Sequence, residues 1–144
     1  MKSVIQTGLA LLVLAGCDVA VAGNAVTPTA RTAYEDVQWD IKPGGRQLAA
    51  VQGDYTKGAH IKLIRFGAGQ KTPPHTHSYS YTGVVVKGQA RHYEPGKPDT
   101  MTILPPGSFW MISANTPHIS ECLPGEDCVF ATQSDGPFDV KRAH

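Results

Sequence analysis

The spacing of turn signals limits what this chain can fold into more than any other feature. From Trp39 onward, glycine and proline clusters recur roughly every 8–12 residues. They fall at Pro43-Gly44-Gly45, Gly53-Asp54, Gly67-Ala68-Gly69, Pro73-Pro74, Gly88, Pro95-Gly96, Pro105-Pro106-Gly107, Pro124-Gly125 and Gly136-Pro137. Between them lie residues 60–66, 79–87, 100–104, 108–112 and 128–132, rich in β-branched and aromatic side chains and too short for helices. The pattern predicts an all-β sandwich or barrel in one domain over residues 35–142, with no internal repeat. Fifteen glycines and eleven prolines among 144 residues agree with many short elements joined by turns.

The first residues read differently. Lys2 supplies a positive start and residues 4–15 form an apolar run, interrupted by Gln6, Thr7 and Gly8. A bilayer-spanning helix needs about 20 apolar residues, so the run is predicted to be an export signal instead of a permanent anchor. Leu14-Ala15-Gly16-Cys17 resembles a lipobox, which makes residues 1–17 the signal peptide and Cys17 the lipidated residue. The alternative is cleavage after Ala20-Val21-Ala22 by ordinary signal peptidase. Both readings put the mature protein on the periplasmic side of the envelope, lipid-anchored in the first and soluble in the second. Residues 18–34 read as a flexible tether.

Thirteen basic and twelve acidic residues leave a formal charge of +1, without long runs of either sign. That balance gives no electrostatic reason to expect nucleic acid as a partner. Cys122 and Cys128 flank Pro124-Gly125, so they are placed to meet across a hairpin and oxidise outside the cytoplasm. A two-cysteine zinc site is the competing reading.

Six histidines are present: His60, His75, His77, His92, His118 and His144. On an extended strand, His75 and His77 leave the same face, where two neutral imidazoles can share one metal. A third ligand must come from another strand, and His118, after the turn 114–117, is the candidate. Phe109, Trp110 and Met111 are read as packing the barrel wall.

These positions resemble the motifs of the cupin superfamily. Gly69, five residues, His75-Thr76-His77, three residues, Tyr81, six residues and Gly88 follow its first motif, with Tyr81 where the family carries Glu. Pro105-Pro106-Gly107 and His118 follow the second, with a longer gap than usual and Cys122 where Asn is common. The wording of residues 82–88 and 106–110 resembles one cupin group, the domain of unknown function 4437, itself similar to the cupin domains of anti-sigma factors. The resemblance implies a jelly-roll barrel, the double-stranded β-helix, over residues 35–140. It also implies one divalent transition metal (Fe, Zn, Mn or Ni) on His75, His77 and His118.

Tyr81 shares the parity of the two histidines and is expected to point inward as a proton donor. Its phenol, with an ordinary pKa near 10, is a poor ligand at pH 7. The resemblance implies a metal-binding cupin of undefined activity. Similar three-histidine sites occur in dioxygenases that cleave diketones or oxidise thiols, which within that reading points to a metal-dependent oxidoreductase on a small chelating substrate. A non-catalytic metal or small-ligand sensor is the alternative. Cupins commonly pair through edge strands, so a homodimer is expected.

Overall fold

The structure is a computed structural model that describes residues 29–143. The signal peptide, both cleavage sites and Cys17 lie outside the described residues, as do most of the tether and His144.

Ten strands are present among these residues: β1 (Asp40–Ile41), β2 (Gln47–Gln52), β3 (His60–Phe66), β4 (His75–Thr76), β5 (Tyr81–Lys87), β6 (Ala90–Tyr93), β7 (Phe109–Ile112), β8 (Ile119–Cys122), β9 (Cys128–Ser134) and β10 (Lys141–Arg142). The only helical elements described are 3-10 turns at Tyr34–Asp36 and Pro98–Thr100. All strand pairs are antiparallel. One sheet has six strands in the order β1-β2-β3-β9-β5-β7. The other layer is built from the pairs β6-β8 and β4-β10. Backbone bridges between Lys71 and Glu121, His75 and His118, and Ala90 and Leu104 stitch these pairs together. This jelly roll is the architecture the sequence predicts.

The core between the layers holds Phe66, Val85, Ala90 and Phe130, with Ile64, Leu104 and Trp110 against it. Gly83, on β5, makes room for one of these. A Cβ there would meet the Trp110 indole at 2.2 Å, so the ring can lie flat on the strand only over glycine.

Three local expectations are corrected. Phe109 and Met111 do not pack the wall: strand alternation turns them outward, 68% and 73% exposed, and sends Trp110 inward. Residues 100–104 form no strand beyond the single bridge at Leu104, because the 3-10 turn occupies their start. The Cys122–Cys128 segment is no hairpin, since β8 pairs with β6 while β9 pairs with β3 and β5. It is the crossover from one layer to the other, and both cysteines are fully buried in the core. Their sulfurs are bonded, with a Cα–Cα distance of 5.6 Å, which leaves no thiolates for zinc.

Candidate metal centre

The site begins with backbone pairing. His75 and His118 exchange both main-chain hydrogen bonds, at 3.0 and 2.9 Å, so they stand directly opposite each other on neighbouring antiparallel segments. Their rings therefore leave the same face, 4.3 Å apart between centres. Two residues on, His77 returns to that face, with its ring 5.0 Å from each of the other two. The turn before His118 is closed by Asn115, whose φ of 61° is the left-handed conformation that asparagine tolerates. The Asn115 N–H donates to the His77 carbonyl at 2.8 Å, tying the turn to the second histidine.

Each of the three rings is then oriented by a carbonyl. His75 Nδ1 lies 3.0 Å from the Pro73 carbonyl, His118 Nδ1 lies 2.9 Å from that of Thr116, and His77 Nδ1 bonds that of Asp139. A carbonyl oxygen can only accept, so every Nδ1 must carry its proton. In neutral rings the lone pairs are thereby assigned to Nε2, the arrangement that metal-binding histidines generally show. All three residues are buried, and one ligand atom from each lies within 4.8 Å of the others. Such a trio would be able to hold one ion through imidazole nitrogens. The donor set fits a divalent transition metal.

Electrostatics favour the same reading. Burial lowers the pKa of His77 and His118 to about 4, and lowers that of His75. At pH 7 the imidazoles are neutral and no proton competes for Nε2. Tyr81 lies beside them, its hydroxyl 3.2 Å from His118 Nε2 and 2.7 Å from His92 Nε2. Burial raises the phenol pKa above its ordinary value, so Tyr81 holds its proton. It occupies the edge of the triad as a neutral donor.

One site residue escaped the sequence reading, and another was credited with too little. His92, which its place on the strand after Gly88 marks only as a residue able to line the cavity, lies on β6 with its ring stacked on His118 at 4.7 Å and on Trp110 at 4.6 Å. Lys62, on β3, is buried in the same cavity, where its ammonium stands 3.9 Å over the Phe138 ring. Phe138 in turn packs 5.1 Å from His77. The β6–β8 register accounts for the closeness of His92 to the triad, since it sets His92 opposite Ser120, two residues from His118.

Comparison with known proteins agrees with the fold. A family model for a domain of unknown function (DUF4437) matches residues 24–144. Among curated proteins none matches the chain. Among solved structures, the polyketide cyclase RemF from Streptomyces resistomycificus is 21% identical with a TM-score of 0.64, covering 81% of this chain and 87% of its own. An RmlC-like cupin from Shewanella frigidimarina is 18% identical with a TM-score of 0.60, covering 75% and 92%. A chain from the complex of Rhodobacter sphaeroides SigE with the anti-sigma ChrR is 23% identical with a TM-score of 0.58, covering 72% of this chain and 52% of that one. At such identities the likeness establishes the fold.

Proposed function

The chain belongs to the DUF4437 family of cupin domains, and we propose that it is an exported, metal-dependent enzyme acting on a small chelating substrate, with oxidation as its reaction type. The observation that carries the reading is the set of three Nδ1-anchored imidazoles, each with a ligand atom within 4.8 Å of the others, beside a protonated phenol. A divalent ion held there would act as a Lewis acid and as a template for oxygen ligands. Three neutral ligands leave its charge uncompensated, so the site favours an anionic or chelating partner.

The remaining chemistry belongs to the protein. The carbonyls of Pro73, Thr116 and Asp139 keep the imidazoles aimed. Tyr81 offers its hydroxyl proton at the rim of the triad, and His92 Nε2 can accept that bond at 2.7 Å when His118 Nε2 is taken by an ion. Burial holds His92 well below its ordinary pKa, so it stays a neutral acceptor. Trp110 and Phe130, packed edge to face at 5.4 Å between ring centres, give the cavity an apolar wall.

The test is oxygen uptake by the Fe(II)-loaded protein with a β-diketone or a small thiol. Uptake should vanish in His118→Ala and fall about 100-fold or more in Tyr81→Phe, the range of a lost proton donor. A metal and substrate panel without oxygen consumption would rule out oxidation. The sensor reading draws on the likeness to the SigE–ChrR complex, and would be revived by isolating a stable complex with another envelope protein.

Lys2, the apolar run 4–15 and Cys17 support export with a lipid anchor. Retention of a Cys17→Ser variant in the membrane fraction would contradict the anchor. Two copies pair through β7, a sheet edge bearing the exposed Phe109 and Met111 beside Thr82 and Val84 on β5. Light scattering should give a dimer, with Phe109→Glu shifting it to monomer; a monomeric wild-type protein would contradict the pairing.

A further inference from the structure

Lys62 is 3% exposed, yet among the described residues no carboxylate lies within salt-bridge distance of its ammonium. Its hydrogen-bond partner is His60 Nε2 at 3.0 Å. His60 Nδ1 bonds the Gly58 carbonyl at 2.9 Å and so carries the ring proton, which leaves Nε2 as an acceptor for one Lys62 N–H. The ammonium thus has donors to spare. Opposite Lys62 in the β3–β9 register stands Thr132, 2% exposed, whose hydroxyl is buried without a partner. Both side chains line the cavity that His75, His77 and Tyr81 line, and Arg46 contributes a second cation to it. No Asp or Glu is among the cavity's lining residues.

A buried cation without a counter-charge and a buried hydroxyl without a hydrogen-bond partner are both costly arrangements. An anion lodged between them relieves both costs. We propose that Lys62 and Thr132 form a carboxylate-binding subsite, so that the substrate of the histidine centre is a small organic acid held by its carboxylate at Lys62. The subsite stands on its own residues, while its link to a substrate rests on the function proposed above. A carboxylate suits it better than a phosphate, because one ammonium and one hydroxyl match a single negative charge. The Phe138 ring is in reach of both Lys62, at 3.9 Å, and the His77 ring, at 5.1 Å, so a molecule with an acid at one end and a chelating oxygen a few bonds away could touch both. Burial also draws the Lys62 pKa down to about 7, as expected of an ammonium lacking its counter-charge.

The probe is benzoate against its neutral analogue benzamide, titrated calorimetrically into the Zn(II)-loaded and the metal-free full-length protein. Benzoate should bind more tightly than benzamide. Lys62→Met should weaken benzoate about 10-fold or more, the loss expected for a charged hydrogen bond. Thr132→Val, nearly isosteric, should weaken it several-fold, and neither change should alter benzamide binding. If Lys62→Met does not fold, Thr132→Val and the benzoate preference still decide. Benzoate affinity unchanged by both substitutions, or equal to that of benzamide, overturns the subsite. Binding that disappears with the metal and ignores Lys62 also overturns it, because the carboxylate then sits on the ion. Binding that needs Lys62 and persists in His75→Ala/His77→Ala supports the subsite even if the metal centre fails its own tests.

Discussion

At the scale of single residues, the centre depends on which ring nitrogen carries the proton. Three backbone carbonyls settle that for His75, His77 and His118, so the ligand lone pairs are in place before any ion arrives. The arrangement has a pH signature. His77 and His118 titrate near pH 4 in the fold and near 6.5 when unfolded, because burial disfavours their charged forms. Between those values the unfolded chain binds protons that the native state does not. Stability of the metal-free protein is therefore fully present above about pH 6.5 and is lost as pH falls toward 4. Urea titrations at pH 7 and 4.5 should differ by on the order of 2 kcal/mol or more. A flat profile would mean that the imidazoles are not buried as neutral rings.

The histidine pair and His118 were legible because spacing and turn chemistry are local signals. Lys62 was not. Along residues 60–66 the apolar Ile61 and Leu63 alternate with His60 and Lys62, and hydrophobic patterning would turn the latter two toward solvent. The structure buries His60 and Lys62 instead, and functional cavities are where such reversals are expected.

At the scale of elements, the run 60–66 became β3 with its predicted ends, and Tyr81 entered β5 with the inward parity read from the sequence. The outward turn of Phe109 and Met111 was missed, because β7 is apolar on both faces and periodicity cannot choose between them. The Cys122–Cys128 bond was read from spacing, but its role as a staple between layers depends on the partners of β8 and β9, which no local signal reveals. Closing so short a loop should stabilise the fold by about 2 kcal/mol. Cys122→Ala/Cys128→Ala should lower the denaturation midpoint by that amount, plus a contribution from two small core voids. An unchanged midpoint would show that the crossover is held by packing alone. Gly88 belongs to the same corner: a Cβ on it would meet Cys128 Sγ at 2.8 Å, at a φ of +77°. Its substitution is disfavoured by both space and conformation.

At the scale of the whole molecule, turn spacing and the absence of helical periodicity were enough to predict a layered all-β domain. Strand order and the depth of the cavity come from pairings distant in sequence, such as β3 with β9. The same topology brings residues 75–77, 81, 92 and 118 to one point and sets Lys62 and Thr132 in the same chamber. On the function proposed above, this point holds a metal ion in the living cell. Elemental analysis of the protein purified from the envelope fraction should find about one transition-metal ion per chain, against essentially none in a folded His75→Ala/His77→Ala variant. Equal metal content in the two proteins, or none in either, would contradict it.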